Sequence, residues 1–114
     1  MTLHDPIMRI RHMLDHAREA VEMVRGRSRV DLDTDRQLNL ALVRLVEAIG
    51  EAANRVPEYF RSRYPQVPWR EAIGMRNRII HGYDVVDFDI LWSVLQKDLP
   101  PLIEKLEKIV NKKA

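Results

Sequence analysis

The chain has 114 residues, enough for one domain (1–114) with a buried core and too few for two. Apolar residues make up 46% and charged residues 32%, the profile of a folded soluble protein and not of a disordered one. There is no cysteine, which excludes disulfides and thiolate metal sites. No apolar run approaches the roughly 18 residues that a bilayer span needs, and MTLHDPIMRIRH lacks a signal peptide's apolar stretch, so a cytoplasmic protein with no membrane partner is expected. Net charge is only +2, but Arg55, Arg61, Arg63, Arg70, Arg76 and Arg78 outnumber Glu58 and Glu71 in the middle of the chain. Such a field suits a polyanion, and equally an ion-paired helix surface.

Asp5-Pro6 is a helix start, an N-cap acceptor followed by a proline whose missing N–H costs nothing in the first turn. Ile7, Ile10, Leu14, Ala17, Val21 and Val24 then form one apolar stripe, and Gly26 is a natural terminator. Thr34 and Gln37 make a capping box for a second long helix, striped by Leu38, Leu42, Leu45, Ile49, Ala53 and Val56 and ending before Pro57. Gly50 inside it costs roughly 1 kcal/mol against alanine, which marks a place where another backbone packs close. Between Pro57, Pro65 and Pro68 only a short turn over 58–64 fits. A third helix is expected from Pro68 or Trp69 through EAIGMRNRIIH, and another after Asp87 with Ile90, Leu91, Val94, Leu95 and Leu99 inward. Pro100 and Pro101 should interrupt that helix before a last one on Leu102, Ile103, Leu106, Ile109 and Val110. No strand alternation stands out. The expected fold is all-α, an antiparallel helical bundle of four main helices plus one or two short ones.

The stretch RNRIIHGYD, residues 76–84, concentrates the chemistry. On a straight helix Arg76 and His81 would point about 140° apart and lie roughly 7.5 Å apart along the axis, so they cannot face one ligand from an unbroken rod. Gly82 offers a way out, because a left-handed cap there would place His81 on the last turn, free to swing; a second copy of the motif across a twofold axis is another. Asn77 and His81, four residues apart, would share a helix face. Histidine exchanges protons near neutral pH and arginine stabilises charge on phosphate oxygens, the requirements of phosphodiester cleavage by a ribose 2′-OH, with no metal needed. Asn77 would hold the histidine or the phosphate, and Tyr83 offers a hydroxyl at the edge. A structural role is also open: His81 at a helix C-terminus and Arg76 on a carboxylate.

The run RNRIIHGY is similar to the R-x4-H-x-Y signature of HEPN domains of the HepT type, the toxins of toxin–antitoxin pairs. PWREAIGMRNRIIHGYDVVDFDILWSVLQKDLPPL and LVEAIGEAANRV resemble that family's core and preceding helix, so the likeness spans most of 34–106. It implies a HEPN-like bundle and a metal-independent endoribonuclease that leaves 2′,3′-cyclic phosphate and 5′-hydroxyl ends from a cleft between two protomers. By position, Arg76 and His81 become catalytic, Asn77 assists, and Tyr83 supports the site and is a target of modification as O-AMP-tyrosine. The implied partners are an RNA, a second copy of the chain, and a minimal nucleotidyltransferase antitoxin that adenylylates Tyr83 in a type VII-like pair. No cofactor is implied for cleavage; ATP and a divalent metal would serve the antitoxin. The alternative is a non-catalytic dimeric platform for such a nucleotidyltransferase.

Other features carry less. His12 and His16, four apart with Glu19 a turn on, could begin a metal site but lack a third strong ligand at a telling spacing, so no metal is expected. Trp69 and Trp92 could stack on bases, but suit core or interface anchors better. The Asp31, Asp33, Asp35 cluster and the Lys112–Lys113 tail suit caps and solvated ends. Asp84 and Asp89 could meet a partner's cations, and Asp87 stands where the next helix needs its N-cap.

Overall fold

A computed structural model describes residues 5–82 and 85–113. Helix α1 (Pro6–Met23) starts on Asp5, whose carboxylate accepts from the Ile7 N–H at 2.9 Å, with Pro6 in the first turn. The chain turns at Gly26, whose φ of +77° is left-handed and open to glycine at no steric cost. A single turn, α2 (Asp31–Thr34), precedes α3 (Arg36–Asn54). Here the expected capping box gives way: Asp35 is the N-cap of α3, accepting from Leu38 N–H at 3.0 Å. Thr34 ends α2, its hydroxyl directed to the Val30 carbonyl at 3.4 Å. Asp31 accepts from the Ser28 N–H at 2.8 Å and so ties down the loop before α2, whose N-cap is Val30; of the acidic cluster, Asp35 is the helix cap.

Helices α1 and α3 form the main packed pair. Ile10, Met13, Leu14, Ala17 and Ala20 from one meet a core that holds Leu38, Leu42, Val46, Ile49 and Ala53 from the other. The register differs slightly from the expected stripes: Met13, Ala20 and Val46 are buried, while Val21 and Leu45 lie at the margin. Asn39 is the exceptional buried polar residue. Its amide donates to the Leu32 carbonyl at 2.9 Å and its oxygen accepts from Arg36, so the group is paid for and pins α2 to α3.

The turn after α3 is α4 (Glu58–Arg61), which buries Phe60. Trp69 packs against the core and its indole N–H donates to the carbonyls of Arg61 and Tyr64 at 3.1 and 3.0 Å, the role of an anchor. The third long helix does not exist as a unit. It is broken at Gly74 into α5 (Trp69–Ile73) and α6 (Met75–Ile79), and ends two residues before His81. Two facts account for the bend: glycine is a weak helix former, and the carbonyls of Ala72 and Ile73 crowd α3 at Gly50. A β-carbon on Gly50 would lie 3.1 Å from Ala72 O and 3.2 Å from Ile73 O, so the close neighbour inferred for Gly50 belongs to the same chain.

Beyond α6 the chain makes a small antiparallel ladder, β1 (Ile80–His81) with β2 (Val85–Val86), pairing Ile80 with Val86 and His81 with Val85. Asp87 then caps α7 (Phe88–Ser93), accepting from Ile90 N–H at 3.0 Å. The prolines do not interrupt the final helix. A π-helical turn (Val94–Asp98) leads straight into α8 (Leu99–Lys113), with Leu99 N–H donating to Val94 O. The wider turn passes over the donors that Pro100 and Pro101 lack, and Pro100 and Pro101 occupy the first turn of α8, where proline is tolerated. Leu91, Val94, Leu95, Leu99, Leu102, Leu106 and Ile109 close the core from this side. The fold is an all-α bundle with one minimal hairpin. Among the described residues no helix is long and apolar enough to cross a membrane.

Candidate active site

The motif straddles the junction of α6 and β1. Arg76 and Asn77 lie on α6, both exposed, at a cleft of about 290 Å³ that they share with Glu47, Gly50, Glu51, Asn54 and Ile73. The Arg76 Nε donates to Glu47 Oε2 at 2.7 Å. Glu47 is the less exposed partner, 26% against 47%, so the guanidinium is tethered from the α3 side and keeps donors free for another anion.

His81 is placed by other means. Because α6 stops at Ile79, His81 is neither on a last helical turn nor on a common helix face with Asn77. It lies on β1, and the left-handed residue that follows, Gly82 with φ +58°, opens the hairpin connection instead of capping a helix. The imidazole Nε2 is 3.5 Å from Asp87 Oδ2 and the side chain is 57% exposed. Asp87 is itself fixed, by its cap on α7 and by its N–H donating to the Ile79 carbonyl at 2.7 Å.

Among the described residues no hydrogen bond or ion pair joins Arg76, Asn77 and His81 to one another. Each is presented separately, Arg76 from α3 and α6, His81 from the hairpin. Tyr83, the fourth member, and Asp84 lie outside the described residues. A second hollow of about 220 Å³ beside Arg76, walled by Leu40, Val43, Ile80 and Val86 with Arg36 and Glu47, extends the motif surface along α3. Leu40 and Val85 are 52% and 63% exposed there and on the neighbouring strand, an apolar margin around a polar site.

The chain matches the family model described as Ribonuclease HepT-like over residues 13–109. It belongs to the HepT-like ribonuclease family. The similarity of this HepT-like chain to curated relatives is nearly full-length. A protein of Caldanaerobacter subterraneus subsp. tengcongensis, whose name marks it as a candidate RNase, is 37% identical over 90% of this chain and 92% of its own. A probable ribonuclease HepT of Thermococcus cleftensis is 36% identical, over 84% of this chain and 91% of its own. A candidate RNase of Methanocaldococcus jannaschii is 30% identical over 83% and 87%. No solved structure matches.

Two residues of the candidate site are not legible as such in the sequence. Glu47 sits within a helical stripe pattern that gives it no special role, although it lies three residues before Gly50, on the side of α3 that meets a close neighbour. Asp87 announces itself in the sequence as a cap, and only the hairpin brings it beside His81. The basic field divides in two: Arg61, Arg76 and Arg78 pair with Glu58, Glu47 and Asp98, while Arg55, Arg63 and Arg70 have no carboxylate partner among the described residues. Asp89 is taken up by Arg29 at 2.8 Å. Among the described residues no group of three or more His, Asp or Glu side chains could hold a metal, His12 and His16 included.

Proposed function

We propose that this chain is a metal-independent endoribonuclease with Arg76 and His81 as its catalytic residues and Asn77 and Tyr83 in support. The observation that carries the reading is the presentation of His81: Nε2 meets a fixed carboxylate, the side chain is exposed, and no described residue engages Nδ1. One nitrogen lies beside a carboxylate and the other is open to substrate, an arrangement that suits general acid–base work. The imidazole takes the proton of a ribose 2′-OH as that oxygen bonds to phosphorus; the bond to the 5′-oxygen breaks and the leaving oxygen gains a proton. The products are a 2′,3′-cyclic phosphate and a 5′-hydroxyl. Arg76, with donors beyond the one given to Glu47, neutralises charge growing on the phosphate oxygens. A second copy of the chain, seated on the apolar margin around Leu40 and Val85, would bring another motif to the same substrate.

In the cell the activity would be that of a toxin, held in check by a nucleotidyltransferase that uses ATP and a divalent metal to place AMP on Tyr83. A phosphate and base there would obstruct RNA beside His81. Tyr83→Phe is expected to abolish that modification; an AMP mass increment still found on the substituted protein would refute it.

A second reading is a non-catalytic dimeric platform for the nucleotidyltransferase, favoured by the tight Arg76–Glu47 pair, which a purely structural arginine would also make. RNA cleavage by purified protein in excess EDTA separates the two. Cleavage that gives cyclic-phosphate ends and vanishes in His81→Ala supports the ribonuclease; no cleavage, or equal cleavage by both proteins, supports the platform.

A further inference from the structure

We propose that the exposed side of α4 and of the turn after it, Tyr59 with Arg63, and with Arg55 four residues earlier in the chain, is a stacking platform for single-stranded RNA, separate from the motif cleft. The choice of RNA as occupant rests on the ribonuclease reading; the platform itself rests on the following observations.

Helix α4 turns two adjacent aromatics in opposite directions. Phe60 is buried at 5% exposure, whereas Tyr59 stands 60% exposed. The tyrosine ring meets Phe60 edge-on, with centroids 6.5 Å apart and planes at 88°, and the guanidinium of Arg63 lies over it at 5.5 Å. The same guanidinium is 5.8 Å from the Phe60 ring. Arg63 therefore spends its charge on aromatic faces and not on a carboxylate.

The backbone beneath is held firmly. Trp69 ties the carbonyls of Arg61 and Tyr64 together through one indole N–H, Arg61 Nε donates to Val56 O at 3.0 Å, and Tyr64 packs on Phe60 at 5.2 Å. An exposed aromatic on a rigid base loses little freedom when it binds. Such a ring beside an unpaired guanidinium is the pairing that single-stranded nucleic acids use, a π-face for the base and a cation for its phosphate.

Position makes the platform useful. The motif cleft runs along α3 from Glu47 to Asn54, and its two carboxylates already carry partners, Glu47 with Arg76 and Glu51 with Arg44. Arg55 follows Asn54 directly, eight residues and about 12 Å along α3 from Glu47, and α4 begins just beyond it. A strand held at Arg76 and laid along this cleft arrives at Arg55, Tyr59 and Arg63, which among the described residues carry no carboxylate partner to repel it, apart from the flanking Glu58 that pairs with Arg61. A protein partner would be expected to cover apolar surface, of which this face shows only the tyrosine.

The test uses full-length protein carrying His81→Ala, which holds RNA without cutting it, and reads the anisotropy of a labelled unpaired oligoribonucleotide and of a matched RNA duplex. Tyr59→Ala should weaken single-strand binding about tenfold, the worth of a lost base stack. Tyr59→Phe should bind as the parent does, and the duplex, whose bases are already stacked, should be indifferent to both. Arg63→Ala should weaken binding and reduce the slope against log salt by about one. Unchanged melting of Tyr59→Ala shows that the fold is intact. Equal single-strand binding by Tyr59→Ala and its parent, equal loss on the duplex, or a parent that binds no RNA would each overturn the platform. Cleavage by protein with native His81 is scored apart: RNA bound through Tyr59 but never cut refutes the ribonuclease, whereas RNA cut with no dependence of binding on Tyr59 refutes the platform alone.

Discussion

Asp87 divides its carboxylate between two neighbours: Oδ1 accepts from the Ile90 N–H at 3.0 Å, while Oδ2 lies 3.5 Å from His81 Nε2. The start of α7 and the surroundings of the proposed catalytic imidazole thus share one side chain. Asparagine caps helices as well as aspartate but brings no charge to His81, so the two roles are separable. Asp87→Asn should leave the melting temperature nearly unchanged and lower cleavage about tenfold, a fraction of what general acid–base catalysis contributes. Asp87→Ala should lose the cap as well, at a cost of about 1 kcal/mol. Parallel thermal melts and cleavage rates decide it; an Asp87→Asn protein with wild-type cleavage would leave Asp87 as a cap and no more.

Arg76 is more exposed than the glutamate that holds it, so its contribution to folding should be small and its contribution to the reaction large. Arg76→Ala is expected to cost less than about 1 kcal/mol in stability and to lower cleavage about 100-fold or more, as removal of a transition-state anion donor does. Arg76→Lys should recover little, because an ammonium cannot keep Glu47 and present a second donor fork to phosphate. Urea titrations alongside initial rates test this. A large loss of stability with little loss of rate would make Arg76 a structural residue.

At Gly50 two opposing effects can be weighed. Alanine improves helix propensity by about 1 kcal/mol. The new β-carbon, however, would meet two backbone carbonyls at 3.1 and 3.2 Å, and backbone gives way less readily than the end of a side chain. Overpacking of this kind costs about 1–3 kcal/mol. Gly50→Ala should therefore be destabilising on balance and should push α5 and α6 away from α3, loosening the Arg76–Glu47 pair. A higher melting temperature for Gly50→Ala would show that the contact relaxes freely.

Gly82 presents the converse case, with open space around it and a φ of +58°. Alanine there suffers no collision, only the cost of a left-handed backbone, about 1–2 kcal/mol. Gly82→Asn should cost less than Gly82→Ala, since asparagine tolerates that region better. Both should lower cleavage more than melting suggests, because the strain falls beside His81. Identical melting of the two variants would argue that the hairpin connection adopts another conformation.

Much of this protein is written locally in its sequence. Asp5-Pro6, Gly26 and Asp87 mark helix boundaries because caps and left-handed turns depend on a few adjacent residues, and the apolar stripes locate α1, α3 and the final helix because burial follows the 3.6-residue period. The all-α class and the family signature in RNRIIHGY are legible for the same reason. Only the tertiary structure decided the rest. Gly74 reads as one weak position in a good helix, and it becomes a break because Ala72 and Ile73 press on α3 at Gly50. That break, with the end of α6 at Ile79, moves His81 from a helix to a strand and gives it Asp87 as a neighbour, while Arg76 goes to Glu47, twenty-nine positions earlier in the chain. The partner of a side chain is set by which distant segments the core brings together, and no periodicity within a single segment carries that information.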